Sequence, residues 1–398
     1  IHLHILMGFP QFSLTTLVFL YHFTIAIAQA ALVIPEIDLA ILLEKESSIY
    51  ARTEIVEKLK EAFEAFGVFY VRFPGFTEEY ASVQVQRAKE FFDLPERIKR
   101  TLPAASGGFT RGYIGMGEES GSGRLEVKEA FSYGYPWDPH TPPENPLQGA
   151  NIWPAETDLP LTWRKSMVSL FHQMVKVAET ISEGLSEALG EEKEFLPSIC
   201  RNGNTISLMR LFHYFPYKDH LASDVCSDAA VGSSCSLENE KIGSSPHTDW
   251  GFLTCIMQDS VGGLQIQVDG QWFDVPHRPH TLVVNAGDYL ALLSGGRFRS
   301  PVHRVVMSDD SPERFSFVFF YYPSYDATIN FQVNDDAGEK QLPTSKNNDC
   351  SMEDDVTGKK VSGGTSSHNT LLDIKDQFDL SKTSFGDYLL QKWKGVHK

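Results

Sequence analysis

His247 and Asp249 stand two positions apart in SPHTDWGFLT, at the head of an apolar run. On an extended strand, side chains at i and i+2 leave the same face, so both can reach one point while Thr248 turns away. Alone the pair is a weak signal, because so short a spacing arises often by chance. A third candidate follows 56 residues after His247, where SPVHRVVM places His303 at the head of another strand-like run. Two imidazoles and a carboxylate on strands can occupy one face of an octahedron and leave the other open, the arrangement expected of non-haem Fe(II) oxygenases. Zinc is the main rival metal, although its catalytic sites usually keep a single position free.

Any one of the 13 histidines, taken singly, is ordinarily a surface or satisfied core residue. His277 and His280 in VPHRPH read as loop residues near a hairpin end, and His213 in RLFHYFP is strand-borne and able to face a pocket. The triad gains weight from ERFSFVFFYYP, where Arg314 and Ser316 form a second i, i+2 pair. A guanidinium buried in an aromatic strand is costly unless it meets an anion. Its fork matches a carboxylate bidentately, and a neighbouring hydroxyl adds a hydrogen bond. Without the triad, Arg314 would be half of an internal ion pair. With it, Arg314 becomes the anchor for the far carboxylate of a keto acid chelated to the metal. No catalytic residue beyond the metal ligands is indicated. Phe320, six residues past Arg314 on the same strand face, is a candidate pocket ring and equally a plain core ring.

These side chains need strands to carry them, and from residue 204 the sequence turns strand-like. NTISLMRLFHYF (204–215) is one such run, and GGLQIQVDGQWFDV (262–275) is a hairpin with Asp-Gly at its turn. HTLVVNAG (280–287), DYLALLS (288–294), HRVVM (303–307) and RFSFVFFYYP (314–323) continue the pattern. Short strands broken by Gly and Pro predict a β-sandwich or barrel-like core. Upstream, apolar stripes predict helices over 51–67, 77–95 and roughly 158–189, with a strand at 68–73 and a Gly-rich stretch at 103–125. A last helix is expected over 384–395, after a polar insertion at 335–381. The class is mainly β with flanking helices (α+β).

The chain resembles the plant and fungal 2-oxoglutarate/Fe(II)-dependent dioxygenases and the isopenicillin N synthase-like oxidases. IPEIDL, GVFYV, AKEFFDLP, RGYIGMGEE and VKEAFSYG look like that family's N-terminal region, and NPLQGANIWP like its connector. The ordered set of H-x-D, distal His and R-x-S carries the match. The resemblance implies a double-stranded β-helix (jelly roll) core with an N-terminal helical region, divided as 1–31, 32–150, 151–203, 204–326 and 327–398. It implies His247, Asp249 and His303 as Fe(II) ligands, Arg314 and Ser316 as the 2-oxoglutarate clamp, and O2 as oxidant. The reaction would hydroxylate or desaturate a small organic molecule, releasing succinate and CO2. Where many plant members have Asn-Tyr-Tyr-Pro, this chain has His213-Tyr214-Phe215-Pro216. Phe215 cannot donate the family tyrosine's hydrogen bond, so His213, on the same face, is expected to substitute, with Phe215 in the pocket. Three alternatives stay open: an oxidase of the same fold that needs no 2-oxoglutarate, a metal-dead binding protein, and a zinc hydrolase.

Composition excludes other classes. With 52 acidic against 35 basic residues and a net charge of −17, the chain lacks the basic stripe of a nucleic-acid binder. Five cysteines without C-x-x-C are too few for a disulfide scaffold, and Cys226 and Cys235, in one Ser-rich loop, could pair only if the compartment were oxidising. SLTTLVFLYHFTIAIAQA (13–30) is uncharged and ends in Ala-Gln-Ala like a signal peptide, yet no Lys or Arg precedes it. Signal peptide, membrane anchor and imprecise gene boundary remain three readings. Supply of iron and 2-oxoglutarate favours the cytoplasm; a true signal would reverse that.

Overall fold

Capping and apolar stripes set the helices that back the β-core. The computed structural model describes residues 32–44, 48–103, 111–119, 125–138, 140–201, 206–216, 242–308, 311–329, 379 and 381–396. The N-terminal apolar stretch, the Cys226–Cys235 loop and most of the polar insertion lie outside the described residues. Ile1–Val33 and Ile34–Lys398 are separate units, and the elements below belong to the second.

The helices are α1 (Ala40–Leu43), α2 (Ile49–Ala65), α3 (Glu78–Phe92), α4 (Glu96–Lys99), α5 (Leu161–Ala188), α6 (Phe195–Arg201), α7 (Asp288–Leu293) and α8 (Phe385–Val396). Ser48 caps α2 by accepting the Ala51 N–H at 3.2 Å, and Gly67 ends it at φ 71°. Ile55, Leu59, Ala62 and Phe63 form its buried stripe. In α5, Met167, Leu170, Phe171, Met174 and Ile181 are buried at the same helical spacing. Gly184 lets the two helices meet, since a Cβ there would stand 2.7 Å from Leu59 Cδ1. Fully burying each large apolar side chain contributes about 1.5–3 kcal/mol.

Twelve strands follow in chain order: β1 (Glu36–Asp38), β2 (Val68–Arg72), β3 (Gly112–Ile114), β4 (Lys128–Gly134), β5 (Leu208–Tyr214), β6 (Ile242–His247), β7 (Leu253–Gln258), β8 (Leu264–Val268), β9 (Gln271–Asp274), β10 (Leu282–Ala286), β11 (His303–Val306) and β12 (Arg314–Tyr321). They form an eight-stranded sheet, β1-β2-β10-β7-β12-β5-β4-β3, and a four-stranded sheet, β6-β11-β8-β9. This is a jelly roll with flanking helices, and the N-terminal region contributes four strands to its larger sheet. Along β12 the period of two separates the faces: Phe315, Phe317, Phe319 and Tyr321 enter the hydrophobic core, while Arg314, Ser316, Val318 and Phe320 line a cavity between the sheets. The predicted hairpin is β8–β9, with Asp269 and Gly270 at φ 49° and 79° as its turn.

One expected strand is a helix. DYLALLS folds as α7, started from Gly287 in extended conformation, whose carbonyl takes the Ala291 N–H at 3.1 Å. All six of its residues are buried, so no polar face betrays the helical period. Strands β3, β4, β6 and β7, not delimited by the sequence reading, complete the sheets. Among the described residues, no helix is long and apolar enough to cross a membrane.

Candidate active site

His247 ends β6 and His303 begins β11, and the antiparallel register sets them directly opposite each other with ring centroids 4.3 Å apart. Asp249 lies two residues on, at the turn into β7. Its Oδ1 is 3.8 Å from each histidine Nε2, and candidate ligand atoms of all three lie within 4.8 Å of one another. The outer atoms are already committed. His247 Nδ1 faces the Ser245 carbonyl at 2.7 Å and His303 Nδ1 the Pro301 carbonyl at 3.2 Å. A proton on each Nδ1 leaves each Nε2 lone pair directed at the shared point. Asp249 Oδ2 accepts from Asn285 Nδ2 at 2.8 Å, which leaves Oδ1 for the same point.

The electrostatics agree with a donor set. Desolvation inside the cavity mouth and the neighbouring His303 lower His247 from its ordinary value, although 42% of its side chain stays accessible. Burial alone would raise Asp249, but the two imidazoles and the Asn285 amide more than offset it and hold the carboxyl below its ordinary range. Two imidazoles and a carboxylate in facial arrangement fit Fe(II).

Across the cavity, Arg314 is 1% exposed. Its Nε donates to the Gly262 carbonyl at 2.5 Å and one Nη reaches Gln258 Oε1 at 3.4 Å, while Nη1 is buried with no hydrogen-bond partner. Among the described residues no carboxylate is within ion-pair distance of it, and Asp259 interacts with it electrostatically from farther off. A buried guanidinium nitrogen left in this state marks the place of an anion. Ser316 lines the same cavity one i, i+2 step along β12. Arg314, Ser316 and the three converging side chains thus line one cavity.

Residues 206–323 match the sequence model of the 2OG-Fe(II) oxygenase superfamily, and residues 34–156 match that of the non-haem dioxygenase in morphine synthesis N-terminal region. Flavanone 3-dioxygenase of Petroselinum crispum is 30% identical over 313 residues, covering 78% of this chain and 75% of that protein. The chain belongs to the 2-oxoglutarate/Fe(II)-dependent oxygenases. It is an oxidoreductase that uses Fe(II), 2-oxoglutarate and O2 to hydroxylate or desaturate a small organic molecule. Among solved structures, a full-length Neurospora crassa protein in complex with alpha-KG superposes with a TM-score of 0.64 at 25% identity, covering 76% of this chain and 88% of that one. JOX2 in complex with 2OG, Fe and JA gives 0.57 at 26%, covering 74% and 76%.

In this oxygenase two sequence expectations are corrected. His213 does not reach the cavity. The β5–β12 register pairs Tyr214 with Arg314, so Arg210, Phe212 and Tyr214 face inward and His213 faces the helices. His213 Nδ1 lies 2.8 Å from Glu129 Oε1, and its ring stacks on Phe315 at 4.8 Å and 6°. Phe215 shares that outer side, 4.5 Å from the His213 ring, and does not line the cavity. Tyr214 instead lines the cavity, with the Arg314 guanidinium over its ring at 4.7 Å. Gly243 on β6 makes room for that ring, because a Cβ would stand 2.8 Å from Tyr214 Cδ1. Phe320 lines the cavity and stacks on Tyr322 at 6.0 Å and 19°.

Sequence reasoning also missed the residues that hold the triad in place. Glu126, just before β4, accepts the Ser245 N–H at 2.9 Å and pairs with Lys128 at 2.6 Å. Asp288 takes the Thr248 hydroxyl at 3.1 Å, and its backbone N–H donates to the Asp249 carbonyl at 2.7 Å. Only the NAGD string beside a strand hinted at Asn285 and Asp288. The far wall, with Arg210, Glu119, Trp250 and Trp393, had no local signature at all.

Proposed function

We propose that His247, Asp249 and His303 hold the Fe(II), and that Arg314 with Ser316 holds the distal carboxylate of 2-oxoglutarate. The single observation that carries this is the orphaned Arg314 Nη1 in the same cavity as three converging donor atoms whose outer partners are already taken. When bound, iron and 2-oxoglutarate supply the oxidising chemistry, consuming O2 and releasing succinate and CO2 as one oxygen enters the substrate.

The chain's own residues bind, orient and exclude water. The Ser245 and Pro301 carbonyls fix the two imidazoles, and Asn285 fixes the carboxylate. Arg314, held by Gly262 and Gln258 and covered by Tyr214, is preorganised for a carboxylate, so little side-chain entropy is lost on binding. Ile256, Leu264 and Val305 give the co-substrate end apolar walls, which strengthen the charge-assisted hydrogen bonds formed there. Tyr214 takes the place at that end which the family resemblance gave to another tyrosine. On this reading the cavity's remaining space receives a small molecule.

The test is anaerobic. Fe(II) is added to the purified apoprotein and 2-oxoglutarate titrated while the weak visible charge-transfer band of the chelate is followed. The wild type should develop the band, His303→Ala should lack it at any 2-oxoglutarate concentration, and Arg314→Ala should need about 100-fold more co-substrate or fail to form it. Iron binding with no band in the wild type would reject the 2-oxoglutarate assignment.

A further inference from the structure

The remaining half of this cavity has its own chemistry, and its role as a substrate site rests on the metal and co-substrate assignment above. Besides Arg314 the wall carries two more cations: Arg210, four residues along β5 from the Tyr214 that pairs with Arg314, and Lys128 on β4, level with Arg314 across Tyr214. Each is met by a carboxylate that also lines the cavity. Arg210 Nη1 donates to Glu119 Oε1 and Oε2 at 2.9 and 3.0 Å, and Lys128 Nζ lies 2.6 Å from Glu126 Oε2. This wall therefore presents paired charges of both signs and no net charge. An anion drawn to either cation meets that cation's carboxylate, and a cation meets the reverse. The desolvation cost of a charged guest is left without an equal return.

The rest of the wall is rings. Trp393 reaches in from α8 and meets Trp250 edge to face at 5.6 Å and 89°. The Arg210 guanidinium lies over the Trp393 ring at 5.1 Å, so its plane is held from two directions. Helix α8 is a firm support, because Phe385, Tyr388 and Leu389 at its start are fully buried. Phe320 and Tyr322 supply the opposite stack. Tyr322 is in electrostatic reach of Asp249 at one end and of Arg210 and Glu119 at the other. Aromatic walls of this kind accept a flat ring. A guanidinium and a carboxylate held side by side are complementary to a C(=O)–N–H edge: the carbonyl accepts from Arg210 and the N–H donates to Glu119.

We propose that Arg210 and Glu119 are the substrate-positioning pair of this oxygenase, and that the substrate they select is a neutral, planar ring with a cyclic amide edge. The pair grips that edge, Trp250 and Trp393 in edge-to-face contact form one aromatic wall beside the ring, and the ring's other side is turned toward the metal ligands.

Four probes test this on the full-length protein loaded anaerobically with Fe(II) and 2-oxoglutarate, with binding read by calorimetry and by quenching of tryptophan fluorescence. Thymine is the neutral ring with intact N–H groups, and 1,3-dimethylthymine keeps ring and carbonyls without them. Benzoate and benzylamine are the flat anion and cation. Thymine should bind about tenfold or more tightly than each of the other three. Glu119→Gln, which keeps the shape and removes the charge, should weaken thymine and tighten benzoate, a reversal that a merely structural role would not produce. The proposal is overturned if benzoate or benzylamine matches thymine on the wild type, if no probe binds, or if Glu119→Gln leaves the order unchanged. The chelate band, recorded in each sample, separates the two levels. Failure with the band intact rejects the positioning pair alone, whereas a missing band in the wild type rejects the site assignment beneath it.

Discussion

Glu126 and Ser245, 119 residues apart, are joined by a 2.9 Å hydrogen bond from the Ser245 N–H to Glu126 Oε1. Ser245 in turn offers its carbonyl to His247 Nδ1, so a carboxylate at the start of the large sheet fixes the backbone that orients a proposed ligand on the small sheet. Lys128 neutralises that carboxylate. Glu126→Ala should weaken metal binding about 10–100-fold, the usual cost of losing an outer partner of a metal ligand. Glu126→Gln keeps an acceptor for the Ser245 N–H and should fall between that variant and the wild type. Competition of Mn(II) binding against a chromophoric chelator measures both. Equal affinity in all three proteins would mean that Ser245 is held in place without Glu126.

Asn285 is the second such support, and a change of charge there is more telling than a deletion. Its amide donates to Asp249 Oδ2 at 2.8 Å and helps to hold that carboxyl low. Asn285→Asp sets two carboxylates against each other, which raises the pKa of one of them. The variant should bind metal more weakly than wild type at pH 6 and recover part of the difference by pH 8. Asn285→Ala should show a loss that is nearly independent of pH. Parallel chelator titrations at the two pH values decide it.

Tyr214 and His213 are neighbours in sequence with separate consequences. Tyr214→Ala removes the ring beneath the Arg314 guanidinium and should raise the 2-oxoglutarate Kd by about tenfold, in line with a partly desolvated cation–π contact. His213→Ala should leave that Kd unchanged and lower stability by about 2–4 kcal/mol, since it empties a buried ring site and strips Glu129 of a partner. A co-substrate titration and a denaturant melt on each variant separate the roles. A shifted Kd in His213→Ala would return that residue to the cavity.

The same two residues show where the sequence was legible. Arg314 and Ser316 could be read together because β12 has a period of two, a local rule, and the same spacing links His247 at the end of β6 to Asp249 just beyond it. Which of Tyr214 and Phe215 faces the co-substrate is not local. It depends on β5 meeting β12 with Tyr214 opposite Arg314, a pairing across a hundred residues. DYLALLS failed for a different reason, since a helix buried on every side has no amphipathic period to read. Glu126 with Ser245 and Arg210 with Glu119 are contacts between distant elements, which composition and spacing do not encode.

Glu129 makes the fold's acid limit testable. It is buried on the helix side of β4 and receives Lys99 Nζ at 2.7 Å, the Tyr113 hydroxyl at 2.6 Å and His213 Nδ1 at 2.8 Å. Glu96 lies beyond Tyr113 and Lys99, and Glu313, itself paired with Lys89, lies beyond His213. Burial alone would raise Glu129, but its three partners outweigh that and hold it below the ordinary value of 4.5. A carboxyl lowered by folding stabilises the protein fully above its unfolded pKa, and the gain is lost as pH falls through the folded one. Wild-type stability should therefore decline below about pH 4.5, the unfolded value of this carboxyl. Glu129→Gln should be about 3–5 kcal/mol less stable at pH 7, because Lys99 is left buried beside a neutral partner. The difference between the two proteins should shrink as the pH drops from 5 to 3, when the wild type loses the same charge. Denaturant unfolding at pH 7, 5, 4 and 3 tests this, and a constant difference across that range would show that the Glu129 charge contributes nothing to stability.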